Sequence, residues 1–148
     1  MTTTFDHERL DVYRKAVAFA AWTGEFLTAI PGKTAIRDQL DRASISVPLN
    51  IAEGNGKFSP RDRCRFLEIA CGSALECAAA LDVALARGLT TASAVETGKD
   101  QLKSIVSMLM GLIRSVAGRV GEEGGEYLTG CGSEEGGERE GAEEREYE

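Results

Sequence analysis

An all-α protein, folded as an antiparallel up-down-up-down four-helix bundle, is what this chain predicts, and three observations carry the prediction. Strand patterns are absent, because no stretch alternates apolar and polar residues between turn signals. Four long segments instead repeat apolar residues every three or four positions, the period of a helix face. The breaks between them are only a few residues long, so consecutive helices must be antiparallel neighbours. A kinked second helix and a disordered acidic C-terminal tail complete the expected architecture.

The first helix is expected from Asp6 or His7 to Ala29. Leu10, Tyr13, Val17, Ala20 and Ala21 form one side of its apolar stripe, and Val12, Phe19 and Phe26 the other. Ile30-Pro31-Gly32 ends it, since proline disfavours helix in the preceding residue.

The second helix is expected from Thr34 to Gly54 or Gly56, with Ile36, Leu40, Ala43, Val47 and Ile51 on one face. Pro48 lies inside that stripe, where it removes a backbone donor and clashes with the preceding turn, at a cost of roughly 3 kcal/mol or more. Packing on both sides must hold such a helix together, so a kink is expected there. The alternative is a stop near Ile45 and a new helix from Pro48, but the spacing runs through the proline without a change of phase. Glycine at 54 or 56 is read as the left-handed residue that closes the helix.

Ser59-Pro60 starts the third helix: serine caps, proline suits the first position, and Asp62 favours the positive end of the helix dipole. Leu67, Ala70, Ala74, Cys77, Leu81 and Ala84 form its seam, and Gly88 stops it after Arg87. The small run Gly72, Ser73 and Ala74 predicts close approach of a neighbouring backbone. The fourth helix should run from Thr91 or Ala92 to about Gly118 along a stripe from Val95 to Val116. Gly98 and Gly111 should weaken it by about 1 kcal/mol each relative to alanine. These limits give a folded domain over residues 6–119 and a Gly/Glu-rich tail over 120–148.

The net charge of −7 divides unevenly. Residues 1–120 hold 15 Lys/Arg against 13 Asp/Glu, whereas residues 121–148 hold two Arg against 11 Glu. A slightly basic domain therefore carries an acidic appendage, and only the former describes the folded surface. The start MTTTFDHERL has no charged-then-apolar leader, and no long apolar run reads as a membrane span. A cytoplasmic protein without membrane contact is expected. Cys64, Cys71 and Cys77 read as reduced, buried thiols, and Cys131 falls in the tail. Their spacing fits no zinc motif, and the sole histidine, His7, is remote. No cofactor is expected.

Two ordered elements carry a family resemblance. Ser46, Val47, Pro48, Asn50, Ile51, Ala52, Glu53 and Gly54 form the first, within SVPLNIAEGNG. Phe66, Leu67, Ala70, Gly72, Ser73, Leu75 and Glu76 form the second, within SPRDRCRFLEIACGSALE. Together with the opening DVYRKAVAFA, they resemble the bacterial 23S ribosomal RNA intervening-sequence proteins, also called four-helix bundle proteins, over roughly residues 9–118. The resemblance implies a left-handed bundle that assembles as a homopentamer. It extends to accessory variability determinants of diversity-generating retroelements, which associate with nucleic acid and a reverse transcriptase.

Three roles follow from the residues. The first is a non-enzymatic oligomer binding RNA or DNA through Lys57, Arg61, Arg63 and Arg65, with Arg61 and Arg65 on one helix face. Five copies of a small patch would add up through avidity. The alternative for these arginines is a solvated face paired with Asp62, Glu68 and neighbours. The second role, an enzyme, lacks support: a di-metal bundle uses Glu-x-x-His pairs, and Gly54-Asn55-Gly56 is a turn, not a phosphate loop. The third is a protein-interaction scaffold whose acidic tail either competes with nucleic acid for the patch or merely solubilises, the second being favoured. Ser46, Pro48, Asn50, Glu53, Gly54, Gly72, Ser73 and Glu76 are read as structural, with Glu53 or Glu76 bonding to Arg42 or Arg65, or capping amides beyond the kink.

Overall fold

A computed structural model describes residues 4–123, with side chains through Arg119. The expected disordered tail and Cys131 lie outside the described residues. Four helices, α1 (Asp11–Thr28), α2 (Ala35–Asn55), α3 (Pro60–Ala86) and α4 (Ala92–Glu123), follow a 3-10 turn at Asp6–Arg9. Among the described residues, the backbone of each helix lies close to two neighbours in cyclic order, and the diagonal pairs meet only through the core between them. This is the expected four-helix bundle.

Local signals set most boundaries. Thr34 Oγ1 accepts the Arg37 amide at 3.2 Å, Ser59 Oγ the Asp62 amide at 3.4 Å, and Thr91 Oγ1 the Ala94 amide at 3.2 Å. Each cap satisfies one of the orphan donors at a helix start. α3 closes on Gly88 at φ 72°, with the Gly88 amide donating to Leu85 O and the Leu89 amide to Ala84 O. That pair of bonds is the glycine-dependent closure of a helix, and an L side chain would be strained there.

Three boundaries differ from expectation. Residues 6–9 form a separate 3-10 turn, and Leu10 is extended before α1 begins at Asp11. α2 ends on Gly56 in the right-handed region at φ −81°, so neither Gly54 nor Gly56 serves as a left-handed cap. α4 continues to Glu123, past the expected stop near Gly118. α2 itself runs unbroken through Pro48, which excludes a stop near Ile45.

The core runs the length of the bundle. Phe19, Leu40, Val47, Ile51, Leu81, Leu102, Ile105 and Leu109 are fully buried at its centre. Trp22 stacks between Phe19 and Phe26, with ring centroids 5.8 and 5.1 Å away. Two close approaches depend on glycine. A methyl group at Gly98 would come within 2.6 Å of Trp22 Cη2 and 2.8 Å of Leu81 Cδ1. One at Gly54 would lie 2.8 Å from Phe66 Cβ. Gly72, expected to permit such contact, faces open space; its neighbours Ser73 and Ala74 are the buried small residues.

α3 carries an 18-residue window of mean hydropathy 1.6, apolar enough on length and composition to cross a membrane. Only 39% of that window is buried within the bundle. The remainder leaves Ile69, Leu75 and Val83 exposed, and α2 adds Ile45 and Leu49 to the outer surface.

Two substitutions test this packing. Gly98→Ala should destabilise by about 1–3 kcal/mol in urea unfolding, because overpacking against Trp22 outweighs the roughly 1 kcal/mol of helix propensity gained. Equal or greater stability would show that the Trp22 contact yields freely. Thr23 is fully buried with an Oγ1 that has no hydrogen-bond partner. Thr23→Val should therefore raise stability by about 1 kcal/mol, since it removes a desolvated hydroxyl at near-constant shape. A loss of stability would mean that the hydroxyl is satisfied in solution.

Candidate nucleic-acid interface

The α2–α3 turn is built by short-range bonds that fix where its cations go. The Gly56 amide donates to Ala52 O and Glu53 O at 3.2 Å each, and the Lys57 amide to Gly54 O at 3.1 Å. Across the turn, Arg63 Nε donates to Lys57 O at 2.6 Å. Phe66 sits against Gly54 and serves as a shared apolar base for two cations. Lys57 Nζ lies 5.0 Å from its ring centroid and Arg65 Cζ 5.2 Å. Such contacts favour the cation by about 0.5–1 kcal/mol at exposed sites, which biases the two side chains towards the ring against roughly 2 kcal/mol of rotamer entropy each.

The four candidate contacts therefore separate into two groups. Arg61 and Arg65 are exposed one turn apart, and half-buried Lys57 joins them through Phe66. Lys57 Nζ also stands 3.9 Å from Glu53 Oε1, a solvent-exposed pair of small energetic weight. Arg63 points elsewhere. It helps line a cavity of about 160 Å³ with Leu10, Asn55, Ser115 and Arg119, where the ends of all four helices meet.

Topology adds cations that the linear pattern did not single out. The start of α1, the α2–α3 turn and the end of α4 share one end of the bundle. Arg9, Arg14, Arg114 and Arg119 thus join Lys57, Arg61, Arg63 and Arg65 there, interleaved with Asp6, Glu8, Asp11, Glu53 and Asp62. One further residue was missed. Phe58 lies between Lys57 and the α3 cap, and it is 100% exposed.

The structural residues of the two motifs meet at the α2–α3 seam, one turn from Pro48. Ser46 Oγ is 2.8 Å from Ser73 Oγ, while Asn50 Nδ2 donates to Ser46 Oγ at 2.9 Å and to Ser46 O at 2.8 Å. Glu76 accepts from Gln39 Nε2, and Arg42 Nη2 donates to Gln39 Oε1 at 3.2 Å. Glu53 faces Lys57. The expected direct bond from Glu53 or Glu76 to Arg42 or Arg65 is thus replaced by Lys57 and Gln39. Both carboxylates are exposed, so neither resolves a buried charge.

A second surface feature lies between α3 and α4. A groove of about 390 Å³ has Leu75, Leu102, Val106 and Met110 along it, with Lys99, Lys103 and Arg114 at its margins. Lys99 Nζ is held 2.7 Å from Asp82 Oδ1.

Neither a metal cluster nor an activated nucleophile emerges among the described residues. No group of three His, Cys, Asp or Glu side chains is placed to hold a metal there. His7 stacks on Phe5 and meets the edge of Tyr13 at 4.7 Å. Burial, with Glu76 second, pushes the Cys77 thiol up to about 12, and burial with Glu68 raises Cys71. Both are shifted away from the reactive thiolate.

Comparison with known proteins agrees with this architecture. None of the curated proteins matches the chain. Its fold is similar to that of a protein of unknown function from the S23 ribosomal protein family of Bacteroides thetaiotaomicron VPI-5482. The TM-score is 0.65 at 21% identity, over 68% of this chain and 96% of that one. The family model described as 23S rRNA-intervening sequence protein matches residues 8–111, which covers α1 to α3 and the first part of α4, and the chain belongs to that family.

Proposed function

We propose that the protein is a non-enzymatic homo-oligomer that binds RNA or DNA through the basic turn between α2 and α3. The carrying observation is the placement of exposed Arg61 and Arg65 and half-buried Lys57 together at the start of α3, with Lys57 and Arg65 both over the Phe66 ring. Cations at a helix start suit phosphate. Self-association is supported by the apolar outer surface of α2 and α3, where Ile45, Leu49, Ile69, Leu75 and Val83 are 40–61% exposed. Exposed apolar patches of this kind characterise interaction surfaces. A pentamer and a reverse transcriptase partner belong to this reading through the family resemblance alone.

A ring would multiply a patch that is modest in one protomer. Each protomer adds few phosphate contacts, but linked copies engage at high effective concentration. The second reading is a protein-interaction scaffold, with the acidic tail regulatory or solubilising. The apolar α3–α4 groove favours it, because a partner helix could lie there.

Arg61→Glu combined with Arg65→Glu separates the two. If phosphate contacts carry binding, the double variant should lose about tenfold or more in affinity for an RNA oligonucleotide at low salt. The slope of log K against log salt should also become shallower. Fluorescence anisotropy across a salt series measures both. Wild-type affinity and slope in the double variant would remove this patch and leave the scaffold reading.

A further inference from the structure

We infer that Phe58 is a stacking platform for an unpaired nucleobase, so that the ligand of the basic turn is single-stranded nucleic acid rather than duplex. The inference rests on the nucleic-acid reading above and narrows it to a ligand class.

Phe58 is distinguished from every other exposed apolar residue by degree. It is 100% exposed, whereas Phe5 is 72%, Leu49 61% and Ile69 44% exposed. It makes no contribution to the core, whereas the ring of Phe66 is already engaged by Lys57 and Arg65. Phe58 therefore has an unoccupied aromatic surface on a turn whose backbone is fixed. The bond from Arg63 Nε to Lys57 O and the Ser59 cap hold the residues on either side of it. The backbone is thereby held, so a base that stacks here has only the rotamers of the Phe58 side chain to order.

The surroundings identify the occupant. Lys57 precedes Phe58 directly, and Arg61 and Arg65 follow on the exposed face of the first turns of α3. A flat apolar face among cations matches the alternation of base and phosphate along a single strand. Proteins that bind single strands without sequence preference combine such aromatic faces with a cationic track. In a duplex the bases are stacked on one another, and an isolated phenylalanine finds only phosphate or groove. The cations alone would serve either form; Phe58 discriminates.

The test compares a single-stranded RNA 20-mer with a duplex of the same length, using the full chain and its Phe58→Ala, Phe58→Trp and Arg61→Glu/Arg65→Glu variants. Wild type should bind the single strand more tightly than the duplex. Phe58→Ala should weaken single-strand binding about tenfold, the loss of one stacked base, and leave duplex binding and the salt slope unchanged. Phe58→Trp should retain single-strand affinity, with indole fluorescence quenched on binding. Because Phe58 contributes no core contact, melting temperature should not change. Wild-type single-strand affinity in Phe58→Ala, while the arginine variant loses it, would overturn stacking and leave the basic turn standing. A smaller sedimentation coefficient for Phe58→Ala would make Phe58 a contact between copies and also overturn the inference. If wild type binds neither RNA form nor the DNA strands of the same sequence, both this inference and the reading beneath it fail.

Discussion

The approach of Gly54 to Phe66 is the contact on which the rest of the α2–α3 end depends. A single methyl at position 54 would stand 2.8 Å from Phe66 Cβ, so only glycine lets the last turn of α2 lie against the first turns of α3. That closeness leaves a short connection that folds back on itself. It also brings Phe66 under Lys57 and Arg65, and Arg63 against the Lys57 carbonyl. Further along the same seam, the Ser46–Ser73 contact fixes the register, with Asn50 holding the Ser46 hydroxyl. The exposed cations and the exposed Phe58 are thus consequences of how tightly two helices meet.

The same seam explains how the surface is divided. α2 and α3 bury Val47, Ile51, Leu67 and Leu81 inward, yet keep Ile45, Leu49, Ile69 and Val83 outward. α3 is more apolar than a bundle requires of it, and less than half of its most apolar window is buried. Apolar sides and a cation-rich end are separate regions of one molecule. The proposed self-association along the sides would therefore leave the end available and repeat it once per copy.

Much of the fold was legible in the sequence, because its signals are local. Thr34, Ser59-Pro60 and Gly88 mark helix ends by chemistry that acts within one turn, and the stripe from Ile36 to Ile51 carried α2 correctly through Pro48. What escaped reading depends on neighbours distant in sequence. Gly54 looked like a terminator but is a clearance for Phe66, and Gly98 looked like a weakness but makes room for Trp22 and Leu81. Gln39 as the partner of Glu76 has no local trace, since the two residues come from different helices. Among the candidate contacts, Lys57, Arg61 and Arg65 are brought together, while the i+2 position of Arg63 sends it to another face. Phe58 was hidden for a different reason: the exposure of one aromatic depends on what the folded neighbours cover, and the linear sequence carries no mark of it.

The central claim is that this bundle self-associates through its apolar flanks and presents its basic end to nucleic acid. Sedimentation velocity of the full chain, alone and with a single-stranded RNA, at low and at high salt, tests both halves in one measurement. The account requires a species larger than a 15.8 kDa monomer at both salt concentrations, because apolar association is not screened. It also requires co-sedimentation with RNA at low salt that is lost at high salt. A monomer at all concentrations that leaves RNA at its free sedimentation rate would contradict it.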